Sequence, residues 1–497
     1  MGIIRRQSIQ SSLLFYIGAG IGFVSKVLIF TNFLTTQEVG LTNILVTNAL
    51  LYAQFSAGGF ATMTLKFFPY FQDKTRQHHY FLFWLLAIPT IGFVIVTALV
   101  LLFRDSIFEY FAAESPLMVE YFWYLIPMAL ATLYFDLFDS YLRSLLKTVV
   151  PILFREVVQR LLVAISILVY AAGWVTFPQF VALYVALICS VTILIVIYTF
   201  WLGHLHLYPR RSWRVKQLFR KILTYGGLTF MGNISAIVLY NIDGLMLAHY
   251  VGMDAVGIYT TSFYVSALIM IPWRAIQKIA SPEVAAFWKR NDMKAMNKLY
   301  KRTSLINLGL GNYLFVMMVL GIPTLLQLMP GDYSQGVPVL IIIGVSRVFD
   351  MVTGLNTYIL IMSKQYYIDL FLSIGVLVIG VALNLVLIPK YGIEGAAFAT
   401  GLLIALANLM RTVFLWIKFN LNPFSGKMLS VLFATFVAIA AVYFIPEFTS
   451  PLLLFILKGT IFSFVFVALI LLLKAIPDAD KALGLAKSKV LSYSNRK

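Results

Sequence analysis

Apolar side chains along this chain come in continuous runs, not in the alternation of a half-buried strand or the one-sided stripe of a surface helix. A helix rising about 1.5 Å per residue needs about 20 residues to cross a hydrocarbon layer about 30 Å thick, and the runs reach that length again and again. Fourteen spans are predicted, at about 11–34, 39–64, 79–103, 118–142, 150–174, 178–202, 223–249, 256–281, 303–328, 337–362, 367–388, 395–417, 428–446 and 451–474. The runs are too long and too evenly apolar for barrel strands of about 10 alternating residues. In hydrocarbon a lone segment satisfies its own backbone only as a helix. The expected fold class is therefore all-α: a polytopic integral membrane protein of about 14 transmembrane helices.

The polar positions between the runs set the orientation. Loops on the side of the N-terminus carry Arg5, Arg6, Lys66, Lys74, Arg76, Arg143, Lys147, the linker cations from Arg210 to Lys221, the cluster from Lys289 to Arg302, Lys364, Lys418, Lys427 and a basic tail. The opposite loops carry only Arg104 and Lys390. An excess of Lys and Arg marks the cytoplasmic side, so both termini are expected in the cytoplasm. The net charge of +18 is thereby a topological signal, and nucleic acid is not expected as a partner. Composition agrees: 61% hydrophobic and 12% charged side chains, where a soluble domain has about 25% charged, exclude a soluble fold. Arg5 and Arg6 before an apolar stretch imitate a signal peptide, but the stretch is too long and no small-residue cleavage site follows, so the first helix is expected to be retained. The one cysteine, Cys189, lies within a span, which leaves no disulfide and no thiolate metal cluster.

An internal repeat follows at an offset of 217 residues, since Glu38-Val39-Gly40-Leu41 falls on Ala255-Val256-Gly257-Ile258, and Tyr141 through Lys147 falls on Tyr358 through Lys364. The expected organisation is an N-terminal lobe over 1–217 with spans 1–6 and a basic linker, a C-terminal lobe over 218–425 with spans 7–12, and two extra spans with a basic tail over 426–497. Each repeat has an even number of spans, so the two insert in parallel about an axis along the membrane normal. The linker from Gly203 to Lys221 reads as a solvated basic connector, or as a short amphipathic segment anchored by Trp213. His204 and His206 do not share a helix face, and no metal site is expected there.

Two stretches carry a resemblance. Leu223-Thr-Tyr-Gly-Gly-Leu-Thr-Phe-Met-Gly-Asn233, continuing through Asn241-Ile242-Asp243 to Tyr259, resembles spans 7 and 8 of polysaccharide flippases. Asn384 through Pro389, Gly392, Gly395 and Ala397 to Thr400 is similar to the turn between spans 11 and 12 in that family. These are the Wzx-type O-antigen and lipid-linked oligosaccharide flippases of the multidrug/oligosaccharidyl-lipid/polysaccharide exporter superfamily, and the likeness extends over essentially the whole chain. It implies two six-helix lobes around a central cavity, alternating access, and transfer of an undecaprenyl-diphosphate-linked glycan from the inner to the outer leaflet of a bacterial cytoplasmic (inner) membrane. Polysaccharide polymerase and glycosyltransferases of the same pathway are the protein partners it implies. No cofactor is expected; coupling to a proton or a sodium gradient stays open.

Ionisable residues inside spans cost about 2.5–3.5 kcal/mol on insertion scales, so each that cannot snorkel is a functional candidate. Lys26 lies mid-way in span 1, and the 217-residue offset places Asp243 at the matching position of span 7, where the two are expected to face each other. Span 5 offers Glu156 and Arg160 as an i,i+4 pair and leaves Arg155 unmatched. Arg274 lies inside span 8, and Arg347 and Asp350 form an i,i+3 pair in span 10. Guanidinium forks and an ammonium suit a diphosphate, which makes Lys26, Arg155, Arg160, Asp243, Arg274 and Arg347 the cavity candidates. Asp136 and Asp139, on one face of span 4, and Asp350 are the coupling or gating candidates, with a plain contact between the span-4 pair and Arg143 as the competing reading.

Three other functions compete. A cation-coupled multidrug (MATE-type) antiporter commonly uses a first-lobe carboxylate, whereas span 1 here offers Lys26. A lipid II flippase differs mainly in its glycan. A membrane glycosyltransferase or polymerase is more distant, because the longest outer loop runs only from Arg104 to Leu117 and no Gly-rich phosphate loop, acidic metal motif or nucleophile elbow is present. No catalytic and no metal-ligating residues are expected.

Overall fold

A computed structural model describes residues 2–71, 81–205, 227, 230, 238, 241–329, 331–446 and 450–476, and among them the chain is helical throughout, with no strand. The loop cations Lys74 and Arg76, the linker from His206 to Lys221, most of span 7 before Asn241 and the basic tail lie outside the described residues. Nine described helices are long and apolar enough to cross a membrane, or ten if a bent pair is taken as one span. Helix Tyr366–Phe419, 54 residues long, contains both predicted spans 11 and 12, and the shorter Lys427–Tyr443 takes the place of span 13. Many large apolar side chains face outward, among them Leu102, Ile193, Phe371, Phe436 and Phe464, as a lipid-facing surface requires.

Breaks fall where the local chemistry dictates. Span 2 starts on a capping box: the Glu38 amide donates to the Thr35 hydroxyl, and the Thr35 amide donates to the Glu38 carboxylate at 2.8 Å. It bends by 51° between Ala57 and Phe60, where Gly58 has φ 54°, a left-handed conformation open to glycine. The long helix of spans 11 and 12 turns at Gly392, with φ 53° and ψ −129°. Span 10 is cut into Val337–Thr353 and Leu355–Ile361 at Gly354, whose hydrogen lies against the Trp273 indole. The segment from Arg104 to Leu117, expected as a loop, is instead largely helical, with helices Arg104–Ala112 and Pro116–Glu120. It docks through the Ser115 hydroxyl on the Ala248 carbonyl and through Tyr110 stacked on the His249 ring, centroids 3.4 Å apart.

The helices pack as two units. One comprises Met1–Thr261, Met329–Asp332 and Asn384–Ala396; the other comprises Ser262–Leu328, Tyr333–Leu383 and Ala397–Lys497. The core of the first is aromatic: Phe68 meets Phe81 and Tyr141 edge-on at 5.7 Å, and Phe71 packs on Phe81. In the second, spans 13 and 14 pack on span 9, with Phe462 and Phe466 against Tyr313 and the Tyr313 hydroxyl 2.9 Å from that of Ser463.

Packing groups the start of the second repeat, to Thr261, with the first, and the reason lies in the repeat itself. A Cβ at Gly40 would collide with the Met253 carbonyl, and one at Gly257 with the Thr36 carbonyl. Gly40 and Gly257 are 217 residues apart, and so are Thr36 and Met253. Two hydrogen bonds join residues at the same separation: Gln37 Nε2 to Asp254 at 2.6 Å, and Asn43 Nδ2 to Thr260 Oγ1 at 3.0 Å. The sequence repeat is thus a local two-fold in space, with its axis passing between the two glycines.

Candidate functional site

Within the first unit, spans 1 and 5 both depart from α-helical winding, and both do so at their charges. Val24–Ile29 is a π-helical segment holding Lys26, and Leu153–Val158 is another holding Arg155 and Glu156. A π turn inserts a residue into the ladder and is found preferentially at functional sites. The two segments belong to neighbouring helices. Gly18 of span 1 lies so close to span 5 that an added Cβ would stand 2.5 Å from the Glu156 carbonyl, and Arg160 donates to the Gly18 carbonyl.

Every charge in this cluster is engaged. Lys26 Nζ donates to Asn43 Oδ1 at 2.9 Å, stands 5.0 Å from the Phe30 ring centroid, and lies within electrostatic range of Arg160. Arg160 pairs with Glu156 at 2.7 Å. Arg155, unmatched within its own span, is ion-paired with Asp136 of span 4, whose other oxygen accepts from Gln54 Nε2 at 3.2 Å. Asp139, one turn on, pairs with Arg143 at 2.9 Å. Spacing along one helix therefore revealed the Glu156–Arg160 and Asp139–Arg143 pairs and missed Arg155–Asp136, because that pair joins two helices.

The expected facing pair of Lys26 and Asp243 does not form. Asp243 is 2% exposed, and its carboxylate accepts from the Tyr259 hydroxyl at 2.7 Å and from Asn384 Nδ2 at 2.5 Å. Lys26 is turned to Asn43 instead. With this neutral amide partner, the ammonium is paired with no carboxylate among the described residues, and a neutral acceptor leaves its charge available to an anion.

The second unit holds the other candidates. Arg347 is buried, 3.8 Å from Asp350 and 4.9 Å from the Phe263 ring centroid. Asp350 also accepts from Asn408 Nδ2 at 2.9 Å. Asn408 opens a buried chain of amides and hydroxyls: Asn356 donates to its side-chain oxygen and to Thr412, and Thr412 meets the Tyr300 hydroxyl. Arg274 is exposed and makes no ion pair or side-chain hydrogen bond among the described residues. A further pair, Arg411 with Asp369 at 2.6 Å, is part-buried and was passed over in the sequence, where the two charges sit in different spans, 42 residues apart. The amides Asn43, Gln54, Asn384 and Asn408 were passed over as well, since attention to ionisable side chains overlooks the neutral groups that hold them.

The described residues form a multi-span helical bundle with charged side chains on distorted helices inside the spans. Similarity in fold extends to a lipid II flippase, MurJ, in an inward closed conformation, with a TM-score of 0.74 and 14% identity over 95% of this chain and all of that one. An inward-facing multidrug resistance transporter of the MATE family, itself of the MOP superfamily, aligns with a TM-score of 0.64 and 14% identity over 82% of this chain and 94% of its own. The chain belongs to the family described as polysaccharide biosynthesis protein, whose model matches residues 4–276. Among relatives, a probable flippase, AglR of Haloferax volcanii, is 29% identical over 197 residues, 36% of this chain and 39% of that protein. An uncharacterized membrane protein of Methanocaldococcus jannaschii is 25% identical over 192 residues, 37% of each chain. The chain thus spans well under half the length of the curated relatives it matches.

Proposed function

We propose that this protein is a flippase for a lipid-linked oligosaccharide, carrying an undecaprenyl-diphosphate glycan from the cytoplasmic to the outer leaflet by alternating access. The observation that carries the reading is the set of intramembrane cations on, and one just beyond, the two π-helical turns. Lys26 has a neutral partner, and Arg155 and Arg160 each keep donors beyond the carboxylate they hold. A diphosphate is the cargo that such a set suits, because it accepts bidentate guanidinium bonds and a point charge together. Family membership and the probable-flippase relative support the same reading.

A MATE-type antiporter for cationic compounds is the second reading, favoured by the MATE-like fold and by Asp136 and Asp139. It is disfavoured by the cation in span 1. Under the first reading both termini are cytoplasmic, the membrane is the cytoplasmic one, and glycosyltransferases and a polymerase act before and after the transfer step.

Reconstitution in vesicles with a fluorescent polyprenyl-diphosphate oligosaccharide tests it. Lys26→Ala and Arg274→Ala should each slow transfer at least tenfold while the protein still reaches the membrane. Full transfer by both variants overturns the assignment of these cations, and transfer of an organic cation in place of the glycolipid establishes the second reading.

A further inference from the structure

Helix Met293–Leu328 is 36 residues long and rises about 54 Å, nearly twice a hydrocarbon layer of about 30 Å. Its first turns therefore stand out of the membrane, and helix Ile271–Arg290 joins them through a two-residue turn at Asn291 and Asp292. The turn is closed at both ends: Asn291 ends one helix in the left-handed conformation, φ 54°, and Asp292 caps the next by accepting from the Ala295 amide at 2.9 Å. The hairpin is also held from the side. Trp288 Nε1 donates to the Ile359 carbonyl at 2.9 Å, its ring meets Phe419 edge-on, and Asn297 Oδ1 accepts from the Asn422 amide at 3.0 Å.

From Ile271 to Arg302 the chain carries eight cations and two acids, Glu283 and the capping Asp292. Counted from the turn, Lys289 and Lys294 stand at the tip, Lys298 and Arg302 follow at successive turns of one helix, and Lys278 and Arg274 continue the line on the other, over about 20 Å. All six are exposed, and Arg274, Lys289, Lys294 and Lys298 belong to no ion pair among the described residues. Threading a membrane protein asks for cations in a loop, in no particular arrangement. Here Lys294, Lys298 and Arg302 share one helix face at i,i+4 spacing, where like charges weaken a helix. The line is not inherited from the repeat either: 217 residues before these three stand Gln77, Phe81 and Leu85, and before Lys289, Lys278 and Arg274 stand Gln72, Ala61 and Ala57. A rigid, exposed ladder of cations set against its own repulsion fits an anion of matching length.

The flat surface of a leaflet does not match it, because its potential falls off within about 8 Å and the tip stands farther out. The cargo proposed above does match. Its lipid holds the diphosphate at the membrane surface, and its glycan runs from there into the water, as the ladder does. We propose that the hairpin is a track for the glycan of the cargo, and that this glycan is acidic, with carboxylate or phosphate groups along its length. The proposal rests on the lipid-linked oligosaccharide reading and adds to it a substrate class.

The test uses the full-length protein in phosphatidylcholine nanodiscs, with a galacturonate pentamer and a glucose pentamer as probes. The acidic pentamer should bind and lose affinity as salt rises, and the neutral one should not bind. Lys294→Gln, Lys298→Gln and Arg302→Gln combined should weaken binding by about tenfold, the sum of three exposed charge contacts. Lys147→Gln, at an exposed cation of the first unit, should leave it unchanged. Relief of like-charge repulsion should keep the thermal midpoint of the triple variant at or above that of wild type, which separates a lost contact from a lost fold. In vesicles the triple variant should slow transfer of an acidic glycolipid and spare a neutral one. Equal binding of the two pentamers, binding of neither, or acidic binding that the triple variant retains overturns the track. Acidic binding that disappears once phosphatidylglycerol enters the disc assigns the ladder to the leaflet and overturns it too. Transfer of the neutral glycolipid is the separate readout: a wild type that carries it while the pentamer arm fails keeps the flippase reading and loses the track, and a wild type that carries no glycolipid loses the flippase reading and the track with it.

Discussion

Two ion pairs in this protein have the same composition and opposite character. Arg411 and Asp369 have side chains that are 14% and 15% accessible, and Arg411 also donates to the Ser373 hydroxyl at 3.0 Å. Both charges are largely covered, so removing one partner leaves the other poorly compensated. Replacing one member of such a covered pair costs about 3–5 kcal/mol, and replacing both costs much less. Asp369→Ala and Arg411→Ala should therefore each lower the thermal midpoint of the purified protein by more than the double variant does. Equal or additive losses would show that the pair is not coupled. The pair of Arg155 and Asp136 differs because its cation is partly open, and an open charge is one that a ligand can claim.

At the scale of the helix, the informative places are those where regular winding stops. The close approach of Gly40 to Met253 and of Gly257 to Thr36 leaves no volume for a side chain. Gln37 and Asp254 lie beside it, 2.6 Å apart at their hydrogen bond. Cysteines placed at Gln37 and Asp254 should cross-link readily under mild oxidation, and Gly257→Leu should suppress that cross-link by prising the helices apart. Unchanged cross-linking in the glycine variant would mean that the backbones do not depend on this contact. A second expectation concerns Gly392, whose φ and ψ lie outside the regions open to L-residues, so that Gly392→Ala should cost about 1–3 kcal/mol in thermal stability.

How much of this was legible beforehand depends on the range of the interaction. Span positions follow from local composition, and the described helices fall on them, span 7 before Asn241 lying outside the described residues. The 217-residue offset was legible too, because the motif around Gly40 recurs around Gly257. The π-helical turns at Lys26 and Arg155 were not, since a change of winding has no side-chain signature of its own. Nor was the partner of Arg155: a pairing between helices depends on packing, which periodicity within one helix does not encode. The expected facing of Lys26 and Asp243 failed for the same reason. Matching depth in two repeats does not make two side chains neighbours: Lys26 donates to Asn43, and Asp243 accepts from Asn384.

For the molecule as a whole, the asymmetry of basic residues predicts which way it is threaded. Reporter fusions at Leu117 and at Arg214 should report opposite sides of the membrane, with Arg214 cytoplasmic, and same-side signals would refute the fourteen-span threading. The local two-fold at Gly40 and Gly257 bears on something older than the present chain. A contact in which one residue meets a second, and the counterpart of the second meets the counterpart of the first, is the contact of a symmetric homodimer, here within a single polypeptide. A true homodimer would have to place the same residue at both copies of each position, and a charge on one side would always be matched by an identical charge on the other. Fusion of the two copies lifts that restriction. Position 26 now holds a lysine and its counterpart, position 243, an aspartate. The frame keeps its symmetric contact at Gly40 and Gly257, while the counterpart positions 26 and 243 carry opposite signs.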